Sequence, residues 1–140
     1  MSLEISVIIP TFNREKYVGR CIRSLLTQSI GLDNFEMIII DDGSTDDTKK
    51  VLNAFNKDIK IIQNTRNLGL PASLNIGIKA SRGKYIVRVD SDDYVNKDFL
   101  KILHLFVSSN PDYSAAACDY FLVDDNENVI ERLNCDEKPI

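Results

Sequence analysis

Three carboxylates fall within four residues at Asp90-Ser91-Asp92-Asp93, directly after the apolar stretch Tyr85-Ile86-Val87-Arg88-Val89. Like charges at that spacing repel, so a loop that gathers them at a strand end is suited to holding a cation. Mg2+ and Mn2+ prefer carboxylate oxygen and leave coordination positions open for phosphate oxygens, which makes an acidic site compatible with an anionic ligand. A second acidic pair, Asp41-Asp42, follows Phe35-Glu36-Met37-Ile38-Ile39-Ile40 in the same way, and Gly43-Ser44-Thr45 then turns the chain. Two strands thus deliver carboxylates to one rim.

Competing chemistries fit less well. Asp90 and Asp92 match the first ligand positions of an EF-hand, but Val95 stands where the turn glycine is needed and Lys101 where the bidentate glutamate belongs. The run Asp124-x-Asn126-x-Asn128 fails in the same way, with Val129 and Cys135 at those positions. Neither GxGxxG nor GxxxxGK[ST] occurs, which disfavours a Rossmann dinucleotide site and a P-loop. The single histidine, His104, lies in an apolar helical context, and no Ser-His-Asp or Cys-His set assembles around it. A solvated loop is the plain alternative for Asp90 to Asp93, and helix-preceding acids are the plain alternative for Asp41-Asp42.

The elements that must position these groups read as an alternation. Ile5 to Pro10 is a short β-branched run, as expected of a strand buried on both faces, and Asn13 is placed to cap a helix ending near Gln28. Phe35 to Ile40 predicts a second strand, with Ser44 or Thr45 capping a helix that carries Val51, Leu52 and Phe55. Ile59 to Ile62, a helix from about Pro71, and Tyr85 to Val89 continue the pattern. A helix capped by Asn96 runs from Lys97 to Ser109, and strands follow at Ser114 to Val123 and Val129 to Leu133. Alternating strands and helices predict an α/β domain with a mostly parallel sheet, in which ligands bind at the carboxyl ends of the strands. Those ends carry Thr11-Phe12-Asn13, Asp41-Asp42 and the Asp90 to Asp93 loop. Phe12 there is either a core residue or a platform for a base.

Length and charge set outer bounds. With 140 residues, 44% of them apolar, the expectation is one domain over 1–140. A net charge of -4 argues against nucleic acid as the partner. Cys21, Cys118 and Cys135 lack metal or disulfide spacing and read as reduced thiols of a cytosolic protein. No stretch approaches a membrane span.

The ordered set Ser6-Val7-Ile8-Ile9-Pro10-Thr11-Phe12-Asn13-Arg14, Ile39-Ile40-Asp41-Asp42-Gly43-Ser44-Thr45-Asp46, Asn67-Leu68-Gly69 and Asp90-Ser91-Asp92-Asp93 resembles the nucleotide-sugar-binding half of family 2 glycosyltransferases. The resemblance implies the GT-A fold, a Rossmann-like α/β/α sandwich. It implies that Thr11, Phe12 and Asn13 line a nucleotide pocket with Phe12 stacked on uracil, and that Asp42, with Asp41 as a less defined partner, holds the base. Asp90 and Asp92 are similar to the acids of the family's DxD motif, the first near the ribose and the second on a Mn2+ or Mg2+ ion that bridges the diphosphate.

Two departures qualify the resemblance. Leu74 precedes Asn75 where the family often has arginine, leaving Arg66 and Arg88 as candidates for that donor contact. No credible general base follows the acidic loop, because Asp124, Asp125, Glu127 and Glu131 lie too close to it. The implied activity is metal-dependent, inverting transfer from a nucleotide-diphosphate sugar, UDP-linked by preference, to an acceptor hydroxyl, with this chain holding mainly the donor site and lacking the acceptor-binding part. Expected partners are that donor, a glycan or lipid-linked acceptor and a second copy in a homodimer. The expected location is the cytoplasm, including the cytoplasmic face of a membrane. An aspartyl-phosphate phosphotransferase or phosphatase and a non-catalytic sugar-nucleotide module are the alternative readings.

Overall fold

A computed structural model describes residues 3–134. Ile5–Thr11 (β1) and Phe35–Asp41 (β2) are the middle strands of a parallel four-stranded sheet completed by Lys60–Gln63 (β3) and Tyr85–Arg88 (β4), in the order β3-β2-β1-β4. All of β1 is buried, as is β2 apart from Glu36. Alternation along these strands sorts side chains to two faces. Val7, Ile9, Met37 and Ile39 pack with Val18, Cys21, Ile22 and Leu25 of Val18–Leu26 (α1) and with Leu52 of Thr48–Asn53 (α2). Ile8, Ile38 and Ile40 instead meet Leu74, Ile76 and Ala80 of Leu70–Ala80 (α3). Helices therefore cover both faces, as the continuous apolar runs require. The expected α/β/α sandwich with a parallel sheet is the observed one.

The chain divides into two compact units between Leu100 and Lys101. Phe99–Ser109 (α4) begins in the first unit, where Leu100 is fully buried and its N–H donates to Gln28 Oε1 at 2.9 Å. The second unit contains an antiparallel hairpin of Tyr120–Val123 (β5) and Val129–Leu133 (β6). Its turn is closed by Asp124 Oδ1, which accepts from the N–H groups of Asn126 and Asn128. Here β5 is shorter than expected, because Ser114 to Asp119 is a stretch of small and polar residues with weak strand preference. Among the described residues no helix is long and apolar enough to cross a membrane. Cys21 and Cys118 are thiols, and Cys135 lies outside the described residues.

Helix caps differ from the sequence expectation. Asn13 adopts φ +52° and does not cap α1; its Oδ1 accepts the Thr45 N–H at 2.8 Å, tying the loop after β1 to the loop after β2. Ser44 Oγ accepts from Asn13 N in return, so neither Ser44 nor Thr45 caps α2. The Thr48 N–H goes to Asp46 Oδ1 at 3.0 Å instead. Asn96 Oδ1 accepts the Asp98 N–H, and α4 begins at Phe99 rather than Lys97.

A partly buried latch ties the turn before β4 to β1 and β2. Glu36 Oε1 accepts from Ser6 Oγ at 2.7 Å and Arg82 N at 2.8 Å, while its Oε2 pairs with the Arg82 guanidinium at 2.9 Å. Burial pushes the Glu36 carboxyl up, but the hydrogen bonds from Ser6 and Arg82 outweigh it and hold the group below its ordinary 4.5. A depressed carboxylate stabilises the fold above the unfolded-state value, and that stability is lost as pH falls through the folded value. Thermal melts should therefore show the parent losing stability on acidification below pH 4.5. Glu36→Gln should melt lower at neutral pH by the equivalent of about 1–2 kcal/mol and show a shallower acid slope. An unchanged slope would remove the latch from the account.

Candidate functional site

The carboxyl ends of β1, β2 and β4 open on a cleft of about 370 Å3. Its lining includes Pro10, Thr11 and Phe12 from β1 and its end, Asp42, Asn67, Gly69, Leu70 and Ser73 on one side, and Arg88, Asp90, Ser91 and Asp92 on the other, with Arg14 between. Thr11 and Asp41 are register partners at the ends of β1 and β2, and Asp42 N donates to Thr11 O at 2.9 Å. Strand pairing thus puts residues distant in sequence on one rim.

Asp42 is only 4% exposed, and three donors converge on it. Its Oδ1 accepts from Asn64 Nδ2 at 2.7 Å and Leu68 N at 2.9 Å, and its Oδ2 from Gly69 N at 2.8 Å. Burial works against the charge, but these hydrogen bonds prevail and hold the carboxyl below its ordinary range. Ser73 adds a further hydrogen bond to the same carboxylate. Gly69, at φ +88°, supplies a backbone shape that lets Leu68 and Gly69 both aim at Asp42. Thr11 Oγ1 is buried without a hydrogen-bond partner among the described residues, a polar atom beside the cleft whose desolvation none of them offsets. Phe12, at 38% exposure, is not a core residue and presents ring surface at the cleft wall.

Asp41 and Asn13 do not reach the cleft. Asp41 is buried, with Oδ1 accepting from Ser44 N at 3.0 Å and Oδ2 from Gln63 Nε2 at 3.2 Å, so its carboxylate shapes the loop after β2. Asp41, expected beside the nucleotide, is absent from the cleft lining that includes Asp42. Asn13, committed to Thr45, lines a smaller neighbouring pocket with Glu15, Lys16 and Asp46.

The acidic loop is held from below and from both sides. Cys21 Sγ lies 3.6 Å from Asp90 O, and its thiol is pushed up to about 12 by burial and then by the charges of Asp93, Asp92 and Asp90, so it stays protonated. Arg20 Nη2 donates to Asp92 O at 3.1 Å while its guanidinium stands 4.5 Å over the Tyr94 ring. Asp90 forms a two-point pair with Arg88, at 2.8 and 3.0 Å, and Asp92 Oδ2 accepts from Arg14 Nε at 3.2 Å. Burial, then repulsion from Asp92 and Asp90, pushes the Asp93 carboxyl up, against the pull of Arg20 and Arg88.

These residues fit a divalent cation of a particular kind. Among the described residues no group of three or more His, Cys, Asp or Glu side chains stands ready to hold an ion. Mg2+ and Mn2+ are commonly held by one or two carboxylates with substrate phosphates completing the shell, which is what Asp90 and Asp92 offer. Asp42 is engaged by hydrogen bonds, and Asp90 and Asp92 by ion pairs with Arg88 and Arg14. An aspartyl-phosphate mechanism likewise lacks an uncommitted strand-end nucleophile on β1 or β2. Of the two arginines named from sequence, Arg88 lines the cleft. The pairing of Arg14 with Asp92, the support from Arg20 and the cradle of Asn64 around Asp42 were missed. Their only sequence signal was the clustering of polar residues after strand ends.

The family model described as Glycosyl transferase family 2 matches residues 6–138. This chain belongs to that family. It is 37% identical over 111 residues to the poly(ribitol-phosphate) beta-N-acetylglucosaminyltransferase TarS of Staphylococcus aureus (strain Mu50), covering 77% of this chain and 19% of that protein. The crystal structure of S. aureus TarS 1–349 in complex with UDP-GlcNAc superposes with a TM-score of 0.73 at 35% identity, over 78% of this chain and 32% of that one. A mannosyltransferase of Pyrobaculum calidifontis, solved with GDP-Man and Mn2+, shares the fold at a TM-score of 0.72 and 20% identity. The chain spans about a fifth of the length of the curated TarS relative.

Proposed function

We propose that this chain is the donor-binding part of a metal-dependent glycosyltransferase, a single nucleotide-sugar-binding domain over 1–140 that takes a UDP-sugar. The observation that carries the reading is the cleft itself, which ranges an exposed aromatic and a buried unpartnered hydroxyl against two paired carboxylates and two guanidiniums. Phe12, Thr11 and Asp42 suit a flat, hydrogen-bonding base. Asp90 and Asp92 would hold Mn2+ or Mg2+ against the diphosphate. Such an ion supplies charge neutralisation for a departing nucleoside diphosphate. The TarS complex with UDP-GlcNAc supports the donor class.

Residues of this chain would bind and orient the donor, with Asp42 and the 67–69 loop fixing the base and the Asp90 to Asp93 loop fixing the diphosphate. Inversion at the sugar carbon needs a base to take the acceptor proton, and each carboxylate described in the cleft lining already has hydrogen-bond or ion-pair partners. A glycan or lipid-linked acceptor, a homodimer and a cytoplasmic location, including the cytoplasmic face of a membrane, complete the proposal. Calorimetry with UDP, with and without Mn2+, tests it. UDP should bind more tightly with Mn2+, and Asp92→Ala should lose at least about tenfold of that gain. No metal-dependent binding at millimolar UDP, with Asp92→Ala behaving as the parent, would reject the reading.

A further inference from the structure

Among the described residues that line the cleft, the cations are Arg14 and Arg88, and each is engaged with one of the two acidic-loop carboxylates. All four side chains are close to half exposed, between 43% and 48%. Ion pairs with that much solvent contact are weak and exchange partners readily. Arg14 is also tethered at a second point, since its Nη1 donates to Phe12 O at 3.4 Å and Asn13 O at 3.1 Å, so its guanidinium can swing from Asp92 while staying in the cleft. Neither a lysine nor a glycine-rich phosphate loop is present in the lining, so anionic oxygens entering the cleft have these two guanidiniums to meet.

We infer that Arg14 and Arg88 are exchangeable counter-ions: they neutralise Asp92 and Asp90 in the ligand-free cleft, and move to diphosphate oxygens when a divalent cation takes the carboxylates. The inference rests on the proposed donor-binding reading and adds specificity residues to it. Charge balance favours the exchange. The two carboxylates and two guanidiniums cancel one another before binding, and the dianionic diphosphate of a UDP-sugar arriving with a divalent cation adds no net charge to those four groups. Each guanidinium trades a carboxylate for phosphate oxygens, which it binds with the same planar fork. No covalent bond changes. The arginines would therefore compete with a cation that comes alone and cooperate with one that comes with a diphosphate.

The test uses Arg14→Met and Arg88→Met in the whole chain, with Mn2+ binding read by loss of the free-ion electron paramagnetic resonance signal and UDP binding by calorimetry at saturating Mn2+. Mn2+ alone should bind each variant about two- to fivefold more tightly than the parent, the size of an exposed ion pair removed. UDP with Mn2+ should bind about tenfold more weakly. Arg88→Lys should restore part of the UDP affinity and part of the Mn2+ competition, since charge returns without the fork. Weakening of both ligands, or no change in either, would overturn the exchange, because a purely structural arginine moves both the same way. Failure of the parent itself to bind UDP with Mn2+ would sink the donor-binding reading and the inference with it. Circular dichroism on the same samples separates loss of fold from loss of exchange.

Discussion

Replacing Asp42 with Asn should cost the protein about 2–3 kcal/mol of stability and weaken UDP binding at least about tenfold. The carboxylate accepts from Asn64 Nδ2, Leu68 N and Gly69 N, and it is almost wholly buried. An amide of the same shape presents one oxygen and one N–H2 to three donors. With its oxygen at the Oδ1 position the amide turns N–H2 toward the Gly69 N–H, which keeps only Asn67 Oδ1 at 3.0 Å. Turned over, it leaves the Leu68 N–H without an acceptor, and a lost partner at a buried group costs more than a hydrogen bond contributes on average. The damage reaches the site because Asn67, Gly69, Leu70 and Ser73, which those bonds hold in place, form one wall of the cleft. Thermal melts and calorimetry on the same preparation check both halves. Parent-like melting with parent-like UDP affinity would mean that Asp42 neither organises this wall nor meets the base.

Gly43→Ala should be still more damaging to the fold, by about 3 kcal/mol or more. Gly43 adopts φ +78°, which L side chains seldom take. A Cβ there would also lie 2.7 Å from the Arg66 carbonyl carbon and 2.9 Å from Asn67 N. Both obstacles are backbone, so no rotamer change relieves them, and the Asp42-bearing loop must part from the 66–69 segment. Denaturant unfolding should show the midpoint falling, with UDP affinity falling in the same variant. A Gly43→Ala protein as stable as the parent would show that the loops after β2 and β3 are not packed as described.

How much of this was legible beforehand follows from the range of the interactions involved. The buried strands stood out as β-branched runs, because burial on both faces writes itself directly into residue type along Ile5–Thr11 and Phe35–Asp41. Positions at strand ends are legible for the same reason, and Thr11, Phe12, Asp42, Asp90 and Asp92 line one cleft. The resemblance ranks Asp42 above Asp41, but residue type alone does not divide them, since their partners depend on where β2 ends and what β3 and the 67–69 loop offer them. Caps failed where a local preference lost to a tertiary one. Asn13 has the composition of a helix cap, yet it serves Thr45 on the neighbouring loop, and that contact exists only because β1 and β2 are adjacent. Likewise, the pairing of Arg14 with Asp92 requires β4 to lie beside β1, a strand order that periodicity does not encode.

The central claim is that one cleft joins a base site at Phe12 and Asp42 to a cation and diphosphate site at Asp90 and Asp92. A crystal structure of the chain grown with UDP and Mn2+ tests it most directly, because the anomalous signal of the metal locates the ion independently of the nucleotide. The account predicts an anomalous peak contacting Asp92 and the diphosphate within the cleft, with uracil beside Phe12 and Asp42. Nucleotide bound elsewhere on the chain, or a metal peak that touches neither Asp90 nor Asp92, would contradict it.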